Sequence, residues 1–257
     1  MVIIEISIIA SGSNGNSFLV ESKHASILID AGKSGKEIQS RMNKLNKNPE
    51  DIDAILVSHE HSDHTRGVGI LSRRFNIPVY ITKSTYDQCA FNLGKLNEKK
   101  LFNKQNRFSI KDIDITPVKT MHDASDSTGF VLKSKNKSFG ILTDTGIATP
   151  EIKDAIKKLD AVAIESNYDV DMLIKGPYPY HLKNRILSQY GHLSNIECAQ
   201  LIKENRTDNL KEVVLSHLSG NNNTPKQAEL TFKKILASKK FNLTVASRDD
   251  VTGSFRI

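Results

Sequence analysis

The segment Ser58-His59-Glu60-His61-Ser62-Asp63-His64 constrains this chain more than any other stretch. Three imidazoles and an aspartate fall within six residues. The apolar run Ala54-Ile55-Leu56-Val57 before it reads as a short buried strand. Thr65-Arg66-Gly67 after it reads as a loop opening a helix. A strand end pins the backbone while the loop folds back, so several of these side chains converge on one point. Neutral imidazole and ionised carboxylate are the ligands that borderline divalent metals take.

Around that cluster the hydrophobic pattern alternates between strand and helix periods. Strands are expected at 3–10, 18–21, 25–30, 54–57, 78–81, 113–118, 161–164, 213–215 and 243–246. Residues 130–133 and 138–142 read as a hairpin turning at Lys135-Asn136. Helices are expected at 35–45, 67–75, 85–93, 180–189, 194–205 and 225–236, with another starting at Pro150, where proline suits a first turn. Ser194 with Glu197 three residues on has the form of a capping box. Two sheets packed face to face with helices outside them would bury these apolar strands on both faces. The expectation is an α+β chain with one domain over 1–257.

Composition narrows the class. Apolar residues make up 38% of the chain, enough for a globular core. The formal charge of +7 suits a polyanionic partner, since phosphate neutralisation drives nucleic-acid affinity. Lys95, Lys99, Lys100, Lys104 and Arg107, and the group Lys133, Lys135 and Lys137, either follow such a backbone or form a solvated surface. Cys89 and Cys198 are far apart and form no CxxC pair, which argues against a disulfide framework and for a reducing compartment. The opening run Met1-Val2-Ile3-Ile4-Glu5-Ile6-Ser7 alternates like a strand, lacks a basic leader and is too short to span a bilayer. A cytoplasmic protein with no membrane partner is expected.

The polar clusters recur where strands end: His59, His61, Asp63 and His64, then His122, Asp144 and His217. Five of the eight histidines are used in this way. In this the chain resembles the metallo-β-lactamase superfamily, whose hallmark is an HxHxDH segment followed by a His, an Asp and a His, each after a strand. The resemblance runs from Ser11 past His217 and implies an αββα four-layer sandwich. It further implies that His59, His61 and His122 hold one metal, that Asp63, His64 and His217 hold a second, and that Asp144 bridges them. Two nearby cations repel, and a bridging carboxylate and a bridging hydroxide hold them; the hydroxide is the expected nucleophile. Zinc or manganese fits this donor set, and iron also does. Asp30 in Leu28-Ile29-Asp30-Ala31-Gly32 matches the family's early Asp and is expected behind a ligand histidine, although an ordinary turn residue would look the same.

The superfamily leaves the substrate open. Three details favour phosphodiesters: the full ligand set, the positive charge, and two segments similar to ribonuclease J-like nucleases. Those are Glu165-Ser166-Asn167-Tyr168 and Gly191-His192-Leu193-Ser194. In that resemblance His192 faces the substrate, to bind the scissile phosphate or protonate the leaving group. Asp63 counts with it as catalytic, and Ser194 as a substrate contact. Glu165 is expected to support a neighbour. The interval between Asp144 and His217 is too short for an inserted clamp domain. The loop Gly12-Ser13-Asn14-Gly15-Asn16-Ser17, the run Gly191-His192-Leu193-Ser194-Asn195 and Ser216-His217-Leu218-Ser219 most resemble the YycJ/WalJ-type subgroup. That implies a bacterial 5′–3′ exonuclease acting on DNA rather than RNA, linked with mismatch repair. Ser13 and Asn14 would meet a phosphate, or the loop is only a tight turn.

Two other classes stay open on sequence alone. The same metal centre would serve a small-molecule hydrolase of a thioester, lactone or cyclic phosphodiester, distinguished by a closed apolar pocket. A nucleic-acid-binding protein with a vestigial site would hold well under two metal equivalents. His24 and His181 have no partner pattern, and oligomeric state is not legible.

Overall fold

Chain order runs β1 (Glu5–Ala10), β2 (Ser17–Glu21), β3 (Ser26–Ile29), α1 (Gly35–Lys44), β4 (Ala54–Leu56), α2 (Ser62–Thr65), α3 (Val68–Phe75), β5 (Pro78–Ile81), α4 (Lys83–Leu93) and β6 (Glu98–Leu101). It continues through β7 (Phe108–Ile110), β8 (Ile113–Lys119), β9 (Thr128–Ser134), β10 (Lys137–Leu142), α5 (Pro150–Ile156), β11 (Ala161–Glu165), α6 (Val170–Lys175), α7 (Tyr180–Leu187), α8 (Asn195–Asn205), β12 (Glu212–Ser216), α9 (Pro225–Ile235), β13 (Asn242–Val245) and β14 (Gly253–Arg256). The computed structural model describes residues 4–236 and 240–257; the expected first-strand position Ile3 lies outside the described residues.

The strands form two seven-stranded sheets, ordered β14-β1-β2-β3-β4-β5-β6 and β13-β12-β11-β10-β9-β8-β7. Side-chain alternation assigns each strand's two faces to different cores. In β3, Ile27 and Ile29 point between the sheets, while Leu28 points outward under α1, α3 and α4. In β11, Ala161 and Ala163 point inward and Val162 and Ile164 outward under α5, α8 and α9. Both faces are apolar because both are covered, which is why these strands read as continuous apolar runs. The result is the expected αββα four-layer sandwich. Phe18, Phe130 and Phe139 fill the space between sheets; truncating one to alanine would cost about 3–5 kcal/mol.

Local chemistry accounts for the element boundaries. Thr149 and Thr224 cap helices that begin with Pro150 and Pro225, and Ser34 caps α1. The β9–β10 hairpin turns at Lys135 with φ 55°, as a two-residue turn requires. The helix expected to reach residue 189 ends at Leu187. Between β10 and β12 the described chain holds α5, β11 and α6–α8, with no added sheet or clamp domain.

Strands β3, β4 and β5 run parallel, as do β10, β11 and β12. Parallel pairing brings the C-terminal ends of each set to one edge, and the polar clusters follow those ends. Asp30 follows β3, Ser58 and His59 follow β4, Asp144 follows β10, Glu165 closes β11 and His217 follows β12. Asp30, Asp144 and His217 each take φ 57°. This left-handed step ends the strand and turns the side chain across the sheet edge. It is a conformation that Asp and His adopt more readily than most residues.

Candidate metal centre

The helix turn α2 compresses the first cluster. His61 stands at its N-cap, and Thr65 Oγ1 donates to His61 O at 3.0 Å. His59 Nε2 faces His61 Nδ1 at 3.1 Å, and the His122 ring stands 5.2 and 5.0 Å from those two. His59 is fully buried, and burial together with repulsion from His64, His122 and His61 lowers its pKa well below the ordinary value. Burial lowers His122 as well, against the pull of Asp144. Neutral imidazole is the ligand form, so these three side chains could hold one cation. His122 Nδ1 donates to Gly191 O at 3.2 Å, which turns Nε2 toward the others.

The second cluster is charged. Asp63 Oδ2 lies 3.5 Å from both His64 Nε2 and His217 Nε2, and Asp144 Oδ2 lies 3.3 Å from His64 Nε2. Ligand atoms about 2.1 Å from a tetrahedral metal stand roughly 3.4 Å apart. The spacing is therefore that of a coordination shell. Asp144 Oδ2 and His217 Nε2 are buried without any hydrogen-bond partner. Orphaned polar atoms of this kind carry a desolvation cost that a cation would remove. The residues fit a divalent metal. The other Asp144 oxygen stands 3.8 Å from His122 Nε2, so its two oxygens face both clusters.

Two carboxylates hold ligand-type histidines from behind. Asp30 Oδ2 accepts from His64 Nδ1 at 2.7 Å and from Ser58 Oγ at 2.8 Å, and Asp30 Oδ1 from Ser58 N at 2.8 Å. Glu165 Oε1 accepts from both His217 Nδ1 and His192 Nδ1 at 2.7 Å. Glu165 Oε2 accepts from Thr145 N at 3.0 Å and Leu193 N at 3.2 Å. Carboxylates on Nδ1 set the tautomer that leaves Nε2 free to ligate. Burial raises the Glu165 carboxyl, but His192 and His217 outweigh it and hold it well below the carboxylate range. Burial likewise opposes ionisation of Asp63 and Asp144, and the facing imidazoles outweigh it in both.

Most of the expected site residues meet at this edge: His59, His61, Asp63, His64, His122, Asp144 and His217, with Asp30 and Glu165 behind them. His192 joins them, its ring 5.0 Å from His122 and 5.2 Å from His217. His61, Asp63 and His192 are part-exposed and mark the mouth. Ser194 is corrected. It is buried, and its hydroxyl donates to Glu197 Oε2 at 2.6 Å and accepts from Glu197 N at 3.2 Å. It caps α8 and has no free group for a substrate. Ser13 and Asn14 form a loop tip with no hydrogen bond to the cluster among the described residues; Asn14 Nδ2 donates instead to Arg248 O at 3.5 Å. The loop's other residues reach the cluster: Asn16 Nδ2 stands 3.1 Å from His64 Nε2, Ser11 Oγ accepts from His217 N at 2.8 Å, and Ser17 Oγ donates to Asp30 O at 2.9 Å. Asp123, 3.3 Å from His122 Nε2, and Ser58 were also passed over. Only adjacency to His122 and His59 marked them in the sequence.

Four of the eight basic residues singled out earlier are engaged: Lys104 pairs with Asp126, Lys137 with Asp160 at 3.0 Å, Lys100 with Glu98 at 3.5 Å, and Lys99 sits 3.7 Å over the Tyr86 ring. His24 and His181 are exposed and remote in partner pattern.

Residues 25–218 match the family model described as the beta-lactamase superfamily domain. The chain is 39% identical over 243 residues to exodeoxyribonuclease WalJ of Streptococcus pneumoniae, covering 93% of this chain and 90% of that protein. It is 34% identical over 242 residues to exodeoxyribonuclease YycJ of Bacillus anthracis, covering 93% and 92%. Among solved structures, the metallo-β-lactamase fold protein YhfI of Bacillus subtilis superposes with a TM-score of 0.79 over the whole of both chains at 17% identity. With its strand-end histidines and aspartates gathered on one edge of an αββα sandwich, the chain belongs to the beta-lactamase superfamily.

Proposed function

We propose that this protein is a metal-dependent DNA exonuclease that degrades from a 5′ end, working as one hydrolase unit over residues 1–257 with two divalent ions, zinc or manganese, or iron. The observation that carries the reading is the pair of clusters at coordination spacing, with orphaned Asp144 Oδ2 and His217 Nε2, in a chain related over most of its length to proteins named exodeoxyribonucleases. His59, His61 and His122 would hold one ion, Asp63, His64 and His217 the other, and Asp144 would face both. When bound, the ions would lower the pKa of water and neutralise charge on phosphoryl oxygens.

The chain's own groups do the rest. Asp30 and Glu165 fix the histidine tautomers. Asp63, ionised and part-exposed, would orient the attacking water at the mouth. His192 presents Nε2 outward because Glu165 takes Nδ1. It would bind the scissile phosphate or hand a proton to the departing oxygen, its ring held in place by Glu165. No helix among the described residues is long and apolar enough to cross a membrane, and Cys89 and Cys198 are both free. We place the activity in the cytoplasm.

The test is cleavage of end-labelled double-stranded DNA, single-stranded DNA and RNA with manganese or zinc supplied and EDTA as control. Metal-dependent nucleotide release from a DNA 5′ end is expected. Cleavage of no polymer by metal-loaded protein would overturn the reading in favour of a small-molecule thioester, lactone or cyclic phosphodiester hydrolase.

A further inference from the structure

Beside the β1–β2 loop the protein carries more positive charge than its nearby carboxylates neutralise. Gly12 and Gly15 bend this loop at φ 135° and 148°, and Gly15 N donates to Gly12 O at 2.8 Å, so Ser13 and Asn14 form its tip. Lys33 lies under that tip, only 7% exposed. A Cβ on Gly15 would stand 2.7 Å from Lys33 Cδ, so the glycine is what admits the lysine stem. Arg248 lies on the other side: a Cβ on Gly12 would stand 3.3 Å from its Cγ, and one on Gly220 2.8 Å from its Cζ. Arg66 stands beside this group: the adjoining Gly67 backbone packs on the Lys33 carbonyl, where a Cβ would stand 2.5 Å from that oxygen, and the Arg66 charge repels the Lys33 ammonium.

The local acceptors do not match these cations. Lys33 Nζ reaches Glu37 Oε1 at 3.7 Å, and Arg41 Nη2 takes the same oxygen at 3.0 Å. Among the described residues Arg248 makes one side-chain hydrogen bond, Nη1 to Leu218 O at 3.4 Å. Arg66 is exposed, with no side-chain hydrogen bond or ion pair among the described residues. Burial, opposed by Glu37 and reinforced by repulsion from Arg41, Arg248 and Arg66, holds the Lys33 ammonium below its ordinary range. An anion would relieve that repulsion.

The loop joins this cluster to the metal centre. Asn16 N donates to Asp63 O at 2.8 Å, and Asn16 Nδ2 reaches the Asp63 carboxylate at 3.4 Å. An anion at the tip is thus separated from the proposed reaction centre by the width of one loop. We propose that Lys33, Arg66 and Arg248, with Ser13 and Asn14, form a phosphate-binding subsite that holds a phosphate of the substrate strand beside the one being cleaved. The proposal rests on the nuclease reading for the identity of its ligand. It also explains why the loop tip stands away from the ligand-type histidines. The loop serves two functions, its Asn16 limb bracing Asp63 and its tip meeting a different phosphate.

The experiment measures binding of the full-length protein to a fluorescent single-stranded oligonucleotide with cleavage-resistant phosphorothioate links, over a salt series. The oligonucleotide carries either a 5′-phosphate or a 5′-hydroxyl. Each phosphate contact on a single strand contributes about 0.7 to the slope of log K against log salt. Arg66→Ala and Arg248→Gln should each reduce that slope by about 0.7 and weaken binding several-fold. Lys157→Ala, which removes the same charge at the end of α5 opposite the site edge, should not. A loss confined to the 5′-phosphorylated strand makes the bound group the terminal phosphate; a loss on both strands makes it an internal one. Arg66 is exposed and has no side-chain hydrogen bond to lose among the described residues, so Arg66→Ala keeps the test valid if Arg248→Gln misfolds. Unchanged slopes in both variants, when the wild type cleaves DNA, overturn the subsite and leave the nuclease reading standing. Reduced slopes in a protein that cleaves no DNA leave the subsite standing and overturn the nuclease reading.

Discussion

Glu165→Gln removes one charge from a side chain with no solvent exposure and should disable both histidines that lean on it. Four N–H donors end on this carboxylate, two on each oxygen. An amide keeps one acceptor oxygen and points two N–H groups at the remaining pair of donors. Each hydrogen bond to a charged acceptor is worth about 1.5–3 kcal/mol, so losing two predicts a destabilisation of about 3–6 kcal/mol, the upper part of it only if nothing relaxes. The chemical effect is separate from that loss. Without a carboxylate on Nδ1, the His217 proton is free to move to Nε2, the atom that faces Asp63. Losses of carboxylates that orient metal-bound histidines run about 10–100-fold in metal affinity. Competition against a chromophoric chelator reads the affinity, and thermal unfolding with and without metal reads the stability. A Glu165→Gln protein that binds metal as tightly as wild type and melts at the same temperature would refute the account of Glu165 as the shared anchor of His192 and His217.

Four further outcomes are expected. His61→Ala and Asp63→Ala should abolish DNA cleavage while the far-ultraviolet circular dichroism stays native; wild-type rates in either variant would sink the proposed mechanism. In the metal-free protein, burial lowers His217 but Asp144, Asp63 and Glu165 outweigh it and raise its pKa to about 10, and His64 is raised in the same way by Asp144, Asp30 and Asp63. A raised folded-state pKa stabilises fully below the unfolded value near 6.5, and the contribution is lost as pH climbs through about 10. The metal-free protein should therefore melt at lower temperature at pH 10 than at pH 7. Metal uptake at pH 7 should release on the order of two protons from these imidazoles, read by indicator dye in weak buffer; no acidification would contradict it. Ser194→Ala should cost about 1 kcal/mol of stability through the lost cap and leave the KM for DNA unchanged, whereas a raised KM with unchanged stability would restore Ser194 to the substrate.

The architecture was legible where the pattern is local. The apolar runs 54–57 and 161–164 and the alternation over 113–118 each specify a strand without outside help, and Pro150 and Pro225 mark helix starts. β6, with the sequence Glu-Lys-Lys-Leu, was missed because an exposed edge strand has no buried face to impose alternation. β14 was missed because its stability comes from pairing with β1, whose residue Glu5 meets Arg256 from the far end of the chain. The ligand-type residues were visible because imidazole and carboxylate at strand ends are rare and chemically specific. Asn16 and Ser58 were not, since a polar residue in a loop acquires meaning only from what tertiary folding sets beside it. Ser194 was read both as a helix cap and as a substrate contact; the cap uses up the hydroxyl. The positive φ of Asp30, Asp144 and His217 had no sequence signature beyond their place after a strand.

The clusters draw their donors from both layers of the sandwich. His59, His61, Asp63 and His64 hang from the β4 end of one sheet, while His122, Asp144 and His217 hang from the β8, β10 and β12 ends of the other. A cation shared between them would act as a clasp across the seam. The two sheets then could not part at this edge without breaking coordination, whereas at the opposite edge they are joined by the Ser22–Asp112 hydrogen bond and the Lys111–Asp53 ion pair, both at 2.5 Å. Loading the site should therefore slow amide exchange together at the ends of β4 and β12, strands that are not hydrogen-bonded to each other, and leave β6 and β7 exchanging as before. On this view the centre that would perform the chemistry is also a fastening between the two sheets, and removing the metal would loosen the enzyme along a defined line.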